Sequence, residues 1–494
     1  MKRVAMIGGG AAGLAAALRL RSAGHEVLLF EKNAALGGKI GSHRHEGFTF
    51  DLGPTVLTMP FVLRDLFRQC GRSFEDYVEL RRVEPTCRYH WSDGTAFDAW
   101  SSGPRLADEV RRLFPEDAGA VQAFLGHAER LYDATRELFL FNPFEGPREF
   151  LKPANLGILP MLPRLGLTRT MHASLRRRFA SPRLAQVMGR FATYNGSSPY
   201  RAPATLNVIP HVEIGMGIWY PRGGMGGIAA ALTRLAEEMG VMVHPSTAVE
   251  RLERRGRRVI SLSANGARHE VDALVANTDV LWAYRHLLGP AGVPAPASVA
   301  RGERSCSGFL MLLAVRGLHP ELAHHNIFFS DDYPDEFRDI FERKRLPRAM
   351  TIYLSIGSRS DSSLAPEGCE NWYVLVNAPE SGIEHHDTEA HEAYAASILE
   401  RLKTFGLEPE IQWRGGLMPL EIESRYNSVG GAIYGASSNG LLSMLRRPRN
   451  RVPGLENFFF AGGSTHPGGG LPLALLSGDI TARLVERYLA RARG

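Results

Sequence analysis

The sequence predicts an α/β fold: an open Rossmann sheet assembled from discontinuous segments, with a second α+β domain beside it. Two observations carry this. A strand, glycine turn, helix and strand open the chain, and two further pieces of the same kind recur far downstream. A chain of 494 residues has room for about two to four lobes with large buried cores.

Each element follows from local chemistry. Arg3 to Ile7 (RVAMI) read as a buried strand, Gly8 to Gly10 as a tight turn, Ala11 to Ser22 as an Ala/Leu-rich helix, and His25 to Glu31 as a second strand. Between Gly223 and Val249 lie a glycine turn (RGGMGG), a helix from Ile228 to Met239 and a strand from Val241 to His244. At the C-terminal end an apolar strand, Leu455 to Ala461, is followed by a glycine-rich loop and a helix from Leu471 to Leu489. These pieces assign 1–80, 216–290 and 450–494 to one nucleotide-binding domain, and 81–215 and 291–449 to the second domain. No 20–50-residue repeat is present, which argues against a solenoid.

Composition narrows the classes. A hydrophobic fraction of 44% and a charged fraction of 22% exclude a disordered, collagen-like or disulfide-scaffold chain. The net charge of +6 comes almost wholly from arginine and reads as compositional bias. No basic tract is interleaved with aromatics, so no nucleic-acid partner is expected; a small positive excess suits an anionic membrane face. Cys70, Cys87, Cys306 and Cys369 are scattered, without zinc spacing, and read as free thiols in a reducing cytosol. No secretory leader and no stretch of about 18 apolar residues is apparent. From Leu138 to Phe179 the chain is rich in Leu, Phe, Met and Pro and ends near Arg176, Arg177 and Arg178. Such a patch suits either an interface-dipping surface or a helical cap over the core.

Three motifs carry the chemistry. The first is Gly8-x-Gly10-x-x-Gly13 with Glu31 at the end of the next strand. Gly8 permits the turn, and Gly10 and Ala12 let a pyrophosphate approach a helix N-terminus. Gly13 allows close helix–strand packing, and Glu31 can accept from both ribose hydroxyls. The second is Lys32-Asn33-x-x-Leu36-Gly37-Gly38-Lys39, followed by Phe50-Asp51-Leu52-Gly53-Pro54-Thr55. Gly38 lets this loop cross the pyrophosphate, and Lys39 can meet its charge. This doublet resembles the extended FAD fingerprint of the glutathione-reductase-like flavoproteins, with Lys where that family usually has Arg. The third is Phe460-Ala461-Gly462-Gly463-Ser464-Thr465-His466-Pro467-Gly468-Gly469-Gly470-Leu471-Pro472. Its glycines let backbone lie against a planar ligand, and its helix start can stabilise an anionic reduced ring. Val249, after the middle segment, completes the cofactor-binding candidates. No second GxGxxG and no redox cysteine pair is present. Electrons therefore reach FAD from the substrate and leave to a small acceptor such as oxygen or a quinone.

The chain resembles the bacterial carotenoid desaturase family, the phytoene-desaturase-type FAD enzymes, from end to end. The stretches that carry the resemblance include GGGAAGL at 8–14, EKNAALGGKI at 31–40 and FDLGPTVLTMP at 50–60. They continue with YPRGGM at 220–225, HHNIFFSDDY at 324–333, LAPEGCENWYVLVNAP at 364–379, RYNSVGGAIYGASSN at 425–439 and FAGGSTHPGGGLPLALLSG at 460–478. The resemblance implies a lipophilic polyene taken from a membrane and losing hydrogen to FAD, in an enzyme held peripherally at the inner face of the cell membrane. Its second domain would face substrate and membrane. The C-terminal loop departs from the GAGTHPGAGIPG form common in phytoene desaturases. The FDLGP and RYNSVGGAIYG stretches also look more like the later-acting branch of hydroxycarotenoid 3,4-desaturases, diapocarotene desaturases and terminal-methyl oxygenases. A carotenoid isomerase and, more distantly, an amine oxidase are the alternatives; an amine oxidase would show an aromatic cage near the flavin, which the C-terminal loop lacks.

The expected reaction is hydride loss from an allylic C–H, with conjugation stabilising the developing cation, so that no strong base is required. If an acid/base group acts, His466 is the candidate, as the only ionisable residue inside the C-terminal glycine loop; a plain loop-bonding histidine is the other reading. His324, His325 and Asn326 lack metal-ligand spacing, and no metal is expected. His211 and Glu213 alternate along a possible strand and could share a side of the substrate channel. Asp331, Asp332 and Asp335 read as a solvated acidic turn. Oligomeric state is not legible.

Overall fold

Five parallel strands organise the N-terminal fingerprint. Their spatial order is Phe458–Phe460, Ala273–Ala276, Arg3–Ile7, Glu26–Phe30 and Met242–His244, every neighbouring pair parallel. Parallel sheets are covered on both faces, which is why RVAMI, EVLLF, ALVA and FFF are nearly continuous apolar runs. The computed structural model describes residues 1–146, 149–150, 152, 165–380, 388–441 and 443–492.

The first strand and the helix Ala11–Ser22 fall where the sequence places them. The helix Gly226–Glu238 starts two residues earlier than expected. The strand Phe458–Phe460 is shorter than expected, because the chain around it turns into Asn450 and Val452. Helix Leu471–Arg491 crosses Ala11–Ser22 backbone to backbone: a Cβ on Gly478 would sit 2.4 Å from the Ala12 carbonyl oxygen. An antiparallel sheet of Val249–Arg255, Arg258–Ala264 and Ala267–Glu270 packs Val249, Leu252 and Leu262 on Phe30, Leu274 and Phe458.

A seven-stranded mixed sheet forms the second unit. Its order is Glu410–Leu417, Ser307–Arg316, Cys369–Ala378, Ile352–Ile356, His325–Phe328, Cys87–His90 and Ala96–Ala99. Only His325–Phe328 and Cys87–His90 pair in parallel. Strand alternation gives the sheet two distinct faces. Phe309, Met311, Leu313, Trp372, Val374 and Val376 pack beneath Ile398 and Leu402 of the helix Thr388–Lys403. Leu310, Tyr373 and Leu375 point the other way. Helices Ala118–Arg136 and Pro182–Gly189 and the helical turn Arg190–Asn195 close over one end of this second face.

Two sequence expectations need correction or bounding. His211 and Glu213 lie in a helical turn, His211–Gly215, not in a strand. An extended segment would leave buried Glu213 without a counter-charge, whereas the turn brings its carboxylate 2.9 Å from the Arg190 guanidinium. The His211 ring instead lies tilted beside that of Tyr132, 5.6 Å between centroids. The apolar stretch Leu138–Phe179 falls partly on 147–148, 151 and 153–164, outside the described residues; of the rest, Phe139, Phe144 and Phe150 form a small cluster. All four cysteines are unpaired. Among the described residues no helix is long and apolar enough to cross a membrane.

Candidate active site

One cavity of about 840 Å³ runs from the edge of the parallel sheet to the second face of the mixed sheet. Every cofactor-binding residue singled out in the sequence lines it except Gly13, and His466 lines it as well. Gly13 acts one layer back. A Cβ there would lie 2.2 Å from the Gly8 carbonyl oxygen, so only glycine lets the helix seat against the turn. Gly8 itself holds φ +95°, open to glycine at no cost.

At the dinucleotide end, the first N–H groups of helix Ala11–Ser22 lack intrahelical partners and meet the cavity at Ala11 and Ala12. Glu31 is buried and already organises its own turn. One carboxylate oxygen accepts from the Gly9 N–H at 2.8 Å; the other accepts from the Asn33 backbone N–H at 2.8 Å and side-chain amide at 2.9 Å. Three of about four lone-pair sites are thus taken, leaving one for a ligand hydroxyl where the sequence reading expects two. Lys32 donates to the Ser424 carbonyl and to Asn427, tying this edge to the C-terminal end of helix Pro419–Tyr426.

The charges here test the fit to a dinucleotide. Lys39 donates to the Ile433 carbonyl at 2.7 Å, and burial pushes its ammonium down to about 8, against the partial support of Asp279. Arg447, which the sequence reading missed, donates only to the carbonyls of Thr465, Tyr434 and Gly463. Burial, with the Arg304 charge adding, pushes its guanidinium down to about 10. The neighbouring carboxylate, Asp279, is taken by Arg304 at 2.5 Å and by the N–H groups of Leu281 and Trp282. Two enclosed cations therefore face the cavity without a carboxylate of their own, a donor set suited to an anion such as a pyrophosphate. The buried hydroxyls of Thr278 and Tyr426, also on the wall, have no partner among the described residues and remain for a polar ligand.

Asn277, also unread in the sequence, joins the two glycine motifs. Its side-chain oxygen accepts from the Gly13 N–H and its amide donates to the Ala461 carbonyl, both at 3.0 Å. The signal was its place directly after the buried ALVA strand. In the C-terminal loop, the His466 Nε2–H donates to the Asn142 carbonyl at 2.9 Å. Burial, reinforced by Arg447, pushes this imidazole down to about 4, so it is neutral at pH 7.

Strand register builds the other end. Leu417, Leu310, Leu375, Tyr353 and Ile327 are successive cross-strand partners and all line the cavity, forming one row across five strands. At about 4.8 Å per strand the row spans about 19 Å. Tyr353 donates or accepts at both Thr55, 2.5 Å away, and His325, 2.8 Å away, which pins this floor to the Gly53-Pro54-Thr55 loop. Tyr353, Tyr373 and Tyr434 all line the wall, so the aromatic groups absent from the C-terminal loop arrive from elsewhere. His324 bonds Ser360 and meets the Tyr220 ring edge-on, and no group of three metal-ligating side chains is present among the described residues. Asp332 caps the helix Tyr333–Phe341, and Asp335 pairs with Arg338 and Arg343.

Fold and site together define a flavoenzyme. The model of the flavin-containing amine oxidoreductase family matches residues 11–308. At full length the chain is 35% identical to a 1-hydroxycarotenoid 3,4-desaturase of Flavobacterium sp. over 98% of this chain and 99% of that one. It is also 35% identical to a 4,4'-diapolycopene oxygenase of Methylomonas sp. (97% of each) and to a zeta-carotene-forming phytoene desaturase of Myxococcus xanthus (100% and 95%). Among solved structures, cyclohexylamine oxidase of Brevibacterium oxydans shares the fold at TM-score 0.62 and 14% identity, over 99% and 100% of the two chains. An oxidoreductase of Methanosarcina mazei does so at TM-score 0.64 and 15% identity, over 97% and 99%. The chain belongs to the flavin-containing amine oxidoreductases and, within them, to the bacterial family of carotenoid desaturases and oxygenases. It is an oxidoreductase, and its cofactor is FAD.

Proposed function

We propose that this protein is an FAD-dependent carotenoid desaturase that removes hydrogen from an acyclic polyene drawn from a membrane. The observation that carries the reading is the row Leu417–Leu310–Leu375–Tyr353–Ile327, a flat and mostly apolar floor continuous with the dinucleotide end of one cavity. A long hydrocarbon needs such a surface; a small amine does not. Segments 1–80, 216–290 and 450–494 would hold FAD, and 81–215 and 291–449 the polyene.

Bound FAD supplies a two-electron oxidant. The chain's own residues bind, orient and exclude water. Apolar burial along the floor holds the polyene, and the Thr55–Tyr353–His325 chain fixes that floor against the loop at Gly53. Glu336 and His466 are held uncharged. Glu336, beneath Thr351 and Asn377, is pushed up to about 8 by burial. His466 keeps its proton at Nε2 for the Asn142 carbonyl, which favours holding the loop over acting as a base. Oxygen or a quinone as electron acceptor, and peripheral attachment at the inner face of the cell membrane, are part of this proposal; the insolubility of the substrate supports the attachment.

Expression in cells that accumulate separate carotenoid precursors, with extracts read by absorption and mass, tests it. Loss of two mass units per new double bond is the expected result. Gain of oxygen on a conjugated polyene would place the protein with the terminal-methyl oxygenases, which the Methylomonas relative keeps in view. No change with any precursor, in FAD-replete protein, would overturn the reading.

A further inference from the structure

The His324–His325 doublet holds two ring nitrogens that the described residues leave unserved. His325 opens strand His325–Phe328 and is 1% exposed; His324 precedes it and is 6% exposed. Each imidazole bonds a hydroxyl through Nδ1: His325 that of Tyr353 at 2.8 Å, and His324 that of Ser360 at 2.6 Å. Each Nε2 is buried with no hydrogen-bond partner among the described residues. The two rings lie 4.2 Å apart between centroids. A ring nitrogen enclosed in the interior is costly unless water serves it, and one or two waters cover any separation that rings this close allow.

These contacts form a line from the cavity outward. Thr55 and Tyr353 line the cavity, hydroxyl to hydroxyl at 2.5 Å. His325 and His324 follow, and then Ser360, half-buried next to exposed Arg359. Every member is a hydroxyl or an imidazole, a group that accepts one proton and donates another. Removing hydrogen across a carbon–carbon bond leaves a proton to place. One C–H gives its hydrogen and two electrons to FAD as hydride; the electron pair of the neighbouring C–H becomes the new double bond, and its proton departs. An apolar cavity that excludes water offers that proton no acceptor of its own. We propose that Thr55, Tyr353, His325, His324 and Ser360 form a relay that carries this proton from the polyene to solvent, with ordered water joining the two Nε2 atoms. The proposal rests on the reading of the protein as a carotenoid desaturase. Burial pushes the His324 imidazole down to about 3 and that of His325 well below its ordinary value, so at pH 7 neither stores the proton; each passes it from one ring nitrogen to the other.

The test mixes purified FAD-replete protein, without oxygen or another acceptor, with phytoene, diapophytoene and a hydroxylated acyclic carotene in turn. Bleaching of the flavin gives the rate of hydrogen removal alone. His324→Gln and His325→Gln can keep an amide hydrogen bond to the neighbouring hydroxyl but cannot pass a proton between two nitrogens. Each should slow bleaching about tenfold or more, with the Kd of the polyene within about twofold of wild type, and show a larger solvent deuterium effect than the wild type. Because the relay is one line, the double variant should be no slower than the slower single one. A merely structural role would be met by glutamine and would leave the deuterium effect unmoved. Should His325→Gln not fold, His324→Gln decides. A second readout needs no turnover: a crystal structure of the flavin-loaded wild type should show water within hydrogen-bonding distance of both Nε2 atoms. Variants as fast as wild type, losses that multiply in the double variant, or a dry gap between the rings overturn the relay and leave the carotenoid reading intact. A wild type whose flavin no polyene bleaches overturns the carotenoid reading itself.

Discussion

Replacing Lys39 by methionine should move two stabilities of this protein in opposite directions. In the apoprotein the Lys39 ammonium is enclosed with only the Ile433 carbonyl as its acceptor, and burial holds its pKa at about 8 against an ordinary 10.5. Keeping it charged at neutral pH therefore costs the apoprotein about 3 kcal/mol, at about 1.4 kcal/mol per pH unit. Methionine removes that cost but leaves the carbonyl without its donor, about 1 kcal/mol the other way. The apoprotein should gain about 1–2 kcal/mol and rise in Tm by about 1–3 °C. With FAD the sign reverses, because a charge-assisted bond worth about 1.5–3 kcal/mol is lost; the Kd reflects the difference between the two changes and should weaken about 100- to 1,000-fold or more. Melting curves with and without FAD, and flavin titration of the apoprotein, give both numbers. The pH dependence offers an internal check. The folded pKa lies below the unfolded one, so between about pH 8 and 10.5 the unfolded chain binds more protons and apoprotein stability rises with pH. Lys39→Met should lose that rise. FAD affinity unchanged within about twofold, or apoprotein and holoprotein Tm falling together, would refute the reasoning.

Gly13→Ala should give a folded chain, by circular dichroism, that purifies without flavin, because its Cβ would meet the Gly8 carbonyl oxygen at 2.2 Å and displace the turn. His466→Ala, checked for full flavin content, should keep turnover within about tenfold, and the wild-type rate should show no histidine titration between pH 6 and 8, since His466 is neutral above about 4. A loss beyond about 100-fold would restore it as a base. Leu375→Asn, in the middle of the floor, should retain FAD but lower kcat/KM for any polyene about tenfold or more, as buried apolar surface is replaced by an amide; unchanged kcat/KM would remove the floor from the site.

What the sequence made legible was local. Gly8, Gly10, Glu31 and the Gly37–Gly38 doublet can be read because a tight turn, a helix start and a strand end constrain residue types a few positions apart. Arg447 and Asn277 escaped for the opposite reason. Asn277 bonds Gly13 across 264 positions and Ala461 across 184, and Arg447 works through backbone carbonyls that no motif encodes. The floor escaped too. Leu310, Leu375 and Tyr353 become one surface only through the register of their strands, and nothing in FLML or YVLVN announces which face will meet a cavity. The misread helical turn at His211–Gly215 shows the same limit: two polar residues two apart fit a strand, until buried Arg190 appears opposite Glu213.

The distribution of charge along the cavity follows from asking one enclosed space to hold two unlike molecules. A pyrophosphate requires fixed positive charge, and Lys39, Arg447 and the start of helix Ala11–Ser22 would supply it at one end. A hydrocarbon requires its absence, and toward the floor the charged side chains cancel or neutralise: Arg190 against Glu213, and Glu336 held protonated. A free ammonium or carboxylate at the floor would draw water into the same cavity and weaken every apolar contact along the row. The neutrality of that end is therefore a binding property before it is a catalytic one. It also sets what chemistry the residues can assist: orientation and dryness, with charge development left to the conjugated ligand and to FAD.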